Sequence, residues 1–68
     1  MAERLANAIK DRRTELGLTQ AELAERVGVT RKTVNTVENG VFTPSATLAI
    51  KVAAALGVSV EQLFWIER

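Results

Sequence analysis

At 68 residues, 47% hydrophobic and 25% charged, the chain has the size and composition of one small globular domain rather than a disordered segment. It contains no Cys and no His, which excludes disulfides, ordinary zinc sites, thiol nucleophiles and imidazole acid–base chemistry. Nine cations against eight anions leave a net charge of +1, so any face for a polyanion must come from how the charges are distributed.

In chain order, the opening "MAERLANAIKDRR" is amphipathic and charged from its start, unlike a secretory leader. Leu5, Ile9 and Leu16 share one face and predict a first helix over roughly 3–15. Gly17 ends it, and Thr19-x-x-Glu22 is a capping box opening a second helix at roughly 20–27, with Leu23, Ala24 and Val27 inward. Gly28 and the cap Thr30 lead into a third helix at roughly 31–39, locked by Val34 and Val37. After Gly40, the connection "GVFTPS" delivers Pro44 and the cap Ser45 to a fourth helix at roughly 46–56, whose inner face is Leu48, Val52 and Leu56. Gly57 and a second capping box, Ser59-x-x-Gln62, open a fifth helix at roughly 60–66 with Val60, Leu63 and Phe64 inward. No run alternates long enough to predict a strand. No apolar run approaches the roughly 20 residues that span a membrane. The expectation is an all-α, compact five-helix bundle forming one domain over 1–68 of a soluble, cytoplasmic chain.

The second and third helices carry most of the functional information. A short helix, a glycine turn that Val29 plugs, and a third helix with a polar outer face make a helix-turn-helix over about 20–39, whose second member fits a DNA major groove. A plain α-hairpin would explain the glycine and the valines but not the outer face. That face is Arg31, Lys32, Thr33, Asn35, Thr36 and Asn39, without a carboxylate or a large apolar residue. Arg and Lys suit guanine O6 and N7, Asn suits adenine, and the threonines suit phosphates or thymine methyls. Arg31 and Lys32 also sit where the helix dipole disfavours cations, which suggests an external anion as their partner. Gln20, in the first turn of the second helix, can add a donor beside backbone N–H groups that suit a phosphate.

Arg13 follows Ile9 by four and Glu38 follows Val34 by four, so both fall on inward faces. A buried charge requires a partner, and an Arg13–Glu38 salt bridge would satisfy both. The eight acids show no exposed pair flanking a cleft, so no catalytic residue, metal ligand or cofactor site is assigned.

With these residues in hand, "LGLTQAELAERVGVTRKTVNTVENG" resembles the helix-turn-helix of the phage-repressor and Cro-type (Xre) family of transcriptional regulators. The likeness continues through "PSATLAIKVAAALGVSVEQLF" and so covers about 5–64. It rests on Gln20, Ala24, Gly28, Val34, Val37, Glu38, Asn39 and Gly40 at the family's spacing. The resemblance implies a lambda-repressor-like, non-enzymatic DNA-binding domain, associated with the nucleoid and commonly a homodimeric repressor on a palindromic operator. It implies phosphate contacts at Gln20 and Asn39, and base-edge contacts at Arg31, Lys32 and Thr36, with Thr30, Thr33 and Asn35 beside them. It also supports the Arg13–Glu38 pair. Arg31-Lys32 departs from the Gln or Ser of many members, so no operator carries over, and no small-molecule effector domain is evident.

The last stretch, "GVSVEQLFWIER", holds more apolar residues than a small helix buries on one face, as does the fourth helix at Ile50 and Ala54. Trp65 either covers the open end of the core or belongs to an interface. The partner expected besides double-stranded DNA is a second copy, docked through the C-terminal helix by Val58, Leu63, Trp65 and Ile66. Such a dimer would set two recognition helices about 34 Å apart, one turn of DNA. The competing reading is an antitoxin-like interaction module that also binds DNA.

Overall fold

A computed structural model describes residues 3–68. The elements run β1 (Arg4–Asn7), α1 (Ile9–Glu15), α2 (Gln20–Val27), α3 (Arg31–Glu38), α4 (Ala46–Ala55), α5 (Val60–Leu63) and β2 (Phe64–Glu67). Four helices start where the capping chemistry places them. The side chains of Thr19, Thr30, Ser45 and Ser59 each accept a hydrogen bond from the backbone N–H three residues on, and both capping boxes are closed in both directions.

The chain ends depart from an all-α fold. β1 and β2 pair antiparallel, with Arg4 opposite Glu67, Leu5 opposite Ile66, Ala6 opposite Trp65 and Asn7 opposite Phe64. The expected first helix therefore loses its opening residues to a strand, and the expected fifth helix ends at Leu63. Phe64, Trp65 and Ile66 are aromatic or β-branched and favour extended backbone, and Phe64 adopts it at φ −126°, ψ 143°. Leu5 on β1 and Ile9 at the start of α1 mimic helical spacing, but Asn7 breaks the pattern: its Oδ1 accepts from the Ile9 N–H at 3.1 Å and fixes the start of α1 there. The opposite charges of Arg4 and Glu67 meet across the ladder at 2.7 Å, and Arg68 reaches Glu3 at 3.2 Å.

The core consists of Ile9, Leu18, Leu23, Ala24, Val27, Val34, Val37, Val52, Ala53, Leu56, Leu63 and Phe64. Two assignments shift. Leu16 is 45% exposed, because α1 stops at Glu15 and the chain turns through the left-handed Gly17 (φ +71°), which sends Leu18 inward instead. Ala53, rather than only the larger residues of α4, is buried, which lets its neighbours approach closely.

Three polar side chains around α1 tie it to carbonyls at the ends of other segments. Arg12 Nε donates to the Leu56 carbonyl at 3.0 Å, and Arg13 Nη1 to that of Leu18 at 2.8 Å. Asn7 Nδ2 donates to Val37 at 3.1 Å and Glu38 at 3.4 Å. These are last-turn or loop carbonyls without a full set of helical partners.

Arg13 also meets Glu38 in a two-pronged pair, Nε to Oε2 at 2.8 Å and Nη2 to Oε1 at 3.1 Å. The side chains are only 13% and 3% exposed. The hydrogen bonds that Arg13 donates to Glu38 raise its pKa above the ordinary value against the opposing effect of burial, so the guanidinium stays charged. Removing one charge of such a pair strands the other, and Glu38→Gln is expected to lower unfolding free energy by about 3 kcal/mol in a denaturant titration; an unchanged midpoint would show the pair to be weakly coupled.

Glu22 yields a pH-dependent expectation. The Thr19 backbone N–H, and then its side chain, hold the Glu22 carboxyl below the usual carboxylate range. A depressed folded-state pKa contributes stability above the ordinary range and loses it as pH falls through the folded value. The wild type should therefore exceed Glu22→Gln in thermal stability at neutral pH, and the gap should close below about pH 4. A gap independent of pH would assign the capping box no charge contribution.

Candidate nucleic-acid interface

α2 ends at Gly28, whose φ of +77° reverses the chain while its N–H and that of Val29 both return to the Ala24 carbonyl, at 2.9 and 3.0 Å. That turn lets α3 cross α2 with Val34 and Val37, each 4% exposed, packed into the same core as Leu23 and Ala24. With this side of α3 anchored, its opposite side faces solvent.

Arg31, Lys32 and Asn35 are exposed there, Asn39 is exposed at the C-cap, and Thr33 and Thr36 are half-buried along the edges. The first turn of α3 holds no acidic residue. Among the described residues no carboxylate lies within ion-pairing distance of Arg31 or Lys32. Two cations thus stand at the positive end of a helix dipole with no ion-pair partner among the described residues.

The threonines have local duties. Thr30 Oγ1 accepts from the Thr33 N–H at 3.2 Å and lies 3.0 Å from Thr33 Oγ1. Thr36 Oγ1 donates to the Thr33 carbonyl at 3.0 Å, while the Thr36 carbonyl accepts from the backbone of Val41 and Phe42 and starts the loop to α4. Each hydroxyl oxygen keeps lone-pair capacity, so none is removed as a contact.

Gln20 is placed less simply than its position in the first turn of α2 suggested. Its Nε2 donates to Glu38 Oε1 at 3.3 Å, and its Oε1 accepts from Asn35 Nδ2 at 3.4 Å. The structure therefore brings Arg13, Glu38, Gln20 and Asn35 into one continuous chain of polar contacts, from the core to the exposed face of α3. A surface groove beside it is lined by Arg13, Thr19, Gln20 and Arg31.

Asn7 was not distinguishable in sequence as a site residue. From β1 it holds the last two carbonyls of α3, and so fixes the end of the helix that presents Asn39. The cue available in sequence was weak: an Asn two residues before Ile9, where the N-cap Ala8 supplies no capping side chain.

The residues expected at a C-terminal dimer helix do not form one. Leu63 is 1% exposed and belongs to the core. Val58 is half-buried against the core, and Trp65 and Ile66, 43% and 58% exposed, lie on β2 beyond the end of α5.

Comparison with known proteins agrees with this geometry. A family model described as helix-turn-helix matches residues 9–63. The HTH-type transcriptional regulator YgzD of Bacillus subtilis is 41% identical over 63 residues, covering 93% of this chain and 96% of YgzD. An HTH-type transcriptional regulator of Methanothermobacter thermautotrophicus is 59% identical over 49 residues, 72% of this chain and 71% of the relative. The structure of SinR, a master regulator of biofilm formation in complex with DNA, superposes with a TM-score of 0.71 at 40% identity, covering 76% of this chain and 84% of SinR. A more distant relative is the antitoxin HipB of Escherichia coli O6:H1, 38% identical over 55 residues, of which the chain covers 58%. The chain spans 62% of a solved Neisseria transcription factor and 55% of the solved ClgR regulator of Corynebacterium glutamicum. The relatives that match along most of their length carry the names of HTH-type transcriptional regulators rather than enzymes, and the chain belongs to the Xre-type helix-turn-helix family of transcriptional regulators.

Proposed function

We propose that the chain is a sequence-specific repressor that inserts α3 into the major groove of an operator and acts in the cytoplasm as a homodimer. The observation that carries this reading is the exposed face of α3, with Arg31 and Lys32 at the helix tip lacking an ion-pair partner among the described residues and no acidic residue in the first turn. A helix is about 10–12 Å across with its side chains, which fits a groove about 12 Å wide. In this arrangement Arg31, Lys32 and Thr36 meet base edges, with Thr30, Thr33 and Asn35 alongside. Gln20 and Asn39, at the start of α2 and the end of α3, lie where phosphates would flank the groove. The relative SinR, which was solved bound to DNA, supports the assignment of ligand.

The dimer reading rests on Trp65 and Ile66, apolar and exposed on β2, with Val58 nearby in sequence and Leu63 no longer a participant. Repression then follows from occupancy: two α3 helices seated on one operator exclude polymerase from the promoter.

The likeness to HipB favours one other reading, an antitoxin that binds both DNA and a protein partner. Depleting the chain in its host separates the two. Loss of a regulator alters transcripts, whereas loss of an antitoxin arrests growth.

Arg31→Ala is expected to lower specific binding by roughly 1–3 kcal/mol and to relax the preference at the base it meets, as read by titration against the operator and its single-base variants. The logarithm of the wild-type affinity should fall linearly with the logarithm of salt concentration. An Arg31→Ala protein that still ranks the variants as the wild type does would remove Arg31 from base reading. Equilibrium sedimentation at micromolar concentration should show a dimer, and a monomer that binds half-sites alone would rule out the two-fold mode.

A further inference from the structure

The polar chain from the core to α3 has a direction. The Glu38 carboxylate only accepts hydrogen bonds, so the Gln20 side chain must turn its NH2 toward it. That leaves Gln20 Oε1 pointing the other way, and Oε1 can only accept. The group that meets it is the Asn35 Nδ2 donor, at 3.4 Å. The orientation of two successive amides thus follows from one buried charge, itself held by Arg13 at 2.8 and 3.1 Å.

An Asn amide has two N–H donors and a carbonyl acceptor. With one N–H given to Gln20, Asn35 keeps one N–H and its Oδ1 on the exposed face of α3. That remaining pair is the complement of the major-groove edge of adenine, where N7 accepts and the N6 amino group donates. A guanine edge offers acceptors at both N7 and O6 and would leave Asn35 Oδ1 facing another oxygen.

We propose that Asn35 reads an adenine, and that Gln20 acts as its positioning residue by transmitting the orientation dictated by Glu38. The inference rests on the DNA-binding reading above. It changes the role of Gln20, which beyond any phosphate contact becomes a determinant of which base is preferred. The three residues come from α2 and α3, so the relative placement of the two helices sets the reading geometry as well as the fold.

Selection of bound sequences from a random double-stranded pool, using the full chain, tests the proposal with three proteins: wild type, Asn35→Ala and Gln20→Met. Gln20→Met keeps the length of the side chain while removing its amide, and a thermal melt confirms that both variants remain folded. The wild-type site should contain an adenine preferred roughly tenfold or more over other bases. That preference should vanish in Asn35→Ala and weaken in Gln20→Met, while the positions lost in Arg31→Ala stay intact in both. An enriched site with no adenine sensitive to Asn35→Ala overturns the inference and leaves the DNA-binding reading standing. An adenine lost in Asn35→Ala but unaffected in Gln20→Met overturns the positioning role. A wild-type pool with no enriched sequence overturns the DNA-binding reading itself, and the inference with it.

Discussion

The Arg13–Glu38 pair is the constraint on which the geometry of the exposed helix depends. Both charges are almost withdrawn from water, so each must be matched closely or the fold becomes unfavourable. Arg13 satisfies this from α1 with two nitrogens on the carboxylate and a third on the Leu18 carbonyl. Three segments, α1, the α1–α2 connection and α3, are thereby fixed at one point. A hydrophobic contact in the same place would tolerate sliding; a forked guanidinium with three acceptors does not. The buried pair therefore specifies where α3 lies more than it contributes net stability.

That specification reaches the surface because Glu38 has a further hydrogen-bonding partner. Gln20 shares its Oε1 with Arg13, and Asn35 in turn is tied to Gln20. On the same last turn, Asn7 holds the final carbonyls of α3 from β1. The helix is thus positioned by polar contacts along its C-terminal half and by Val34 and Val37 on its inner face, which leaves its outer face uncommitted. Rigid placement of this kind is what recognition by a single helix requires, since a base edge is read by two hydrogen bonds of fixed geometry.

How much of this was legible in the sequence follows from how local each feature is. The caps Thr19, Thr30, Ser45 and Ser59 act on N–H groups three residues away, so the sequence alone places the starts of four helices. The inward positions of Val34, Val37 and Leu23 follow from spacing within single helices. The sheet was not legible because its two strands are nearly a chain length apart, and because Leu5 and Ile9 imitate a helical stripe that Asn7 interrupts. Leu18 was missed because it sits in a connection, outside any periodic pattern, yet fills the core. Among the candidate site residues, membership of the outer face of α3 was readable from periodicity. That Gln20 faces both Glu38 and Asn35 was not, since it depends on the crossing of two helices that no one-dimensional pattern encodes.

The β1–β2 ladder has a consequence for the dynamics of the molecule. It joins residues 63 apart with only four residues on each strand, so it closes the longest loop in the chain for few hydrogen bonds. The α2–α3 hairpin, closed by a short turn, forms from near neighbours. Local opening therefore begins at the ladder, whose outer residues are exposed, rather than at the helix pair. Asn7 sits at the inner end of that ladder with its amide on the last carbonyls of α3. Fraying that runs the full length of the two strands would remove one hold on the last turn of α3, while Arg13 and Gln20 keep their grip on Glu38 in that same turn, so the reading helix would loosen at a terminus without losing its anchor.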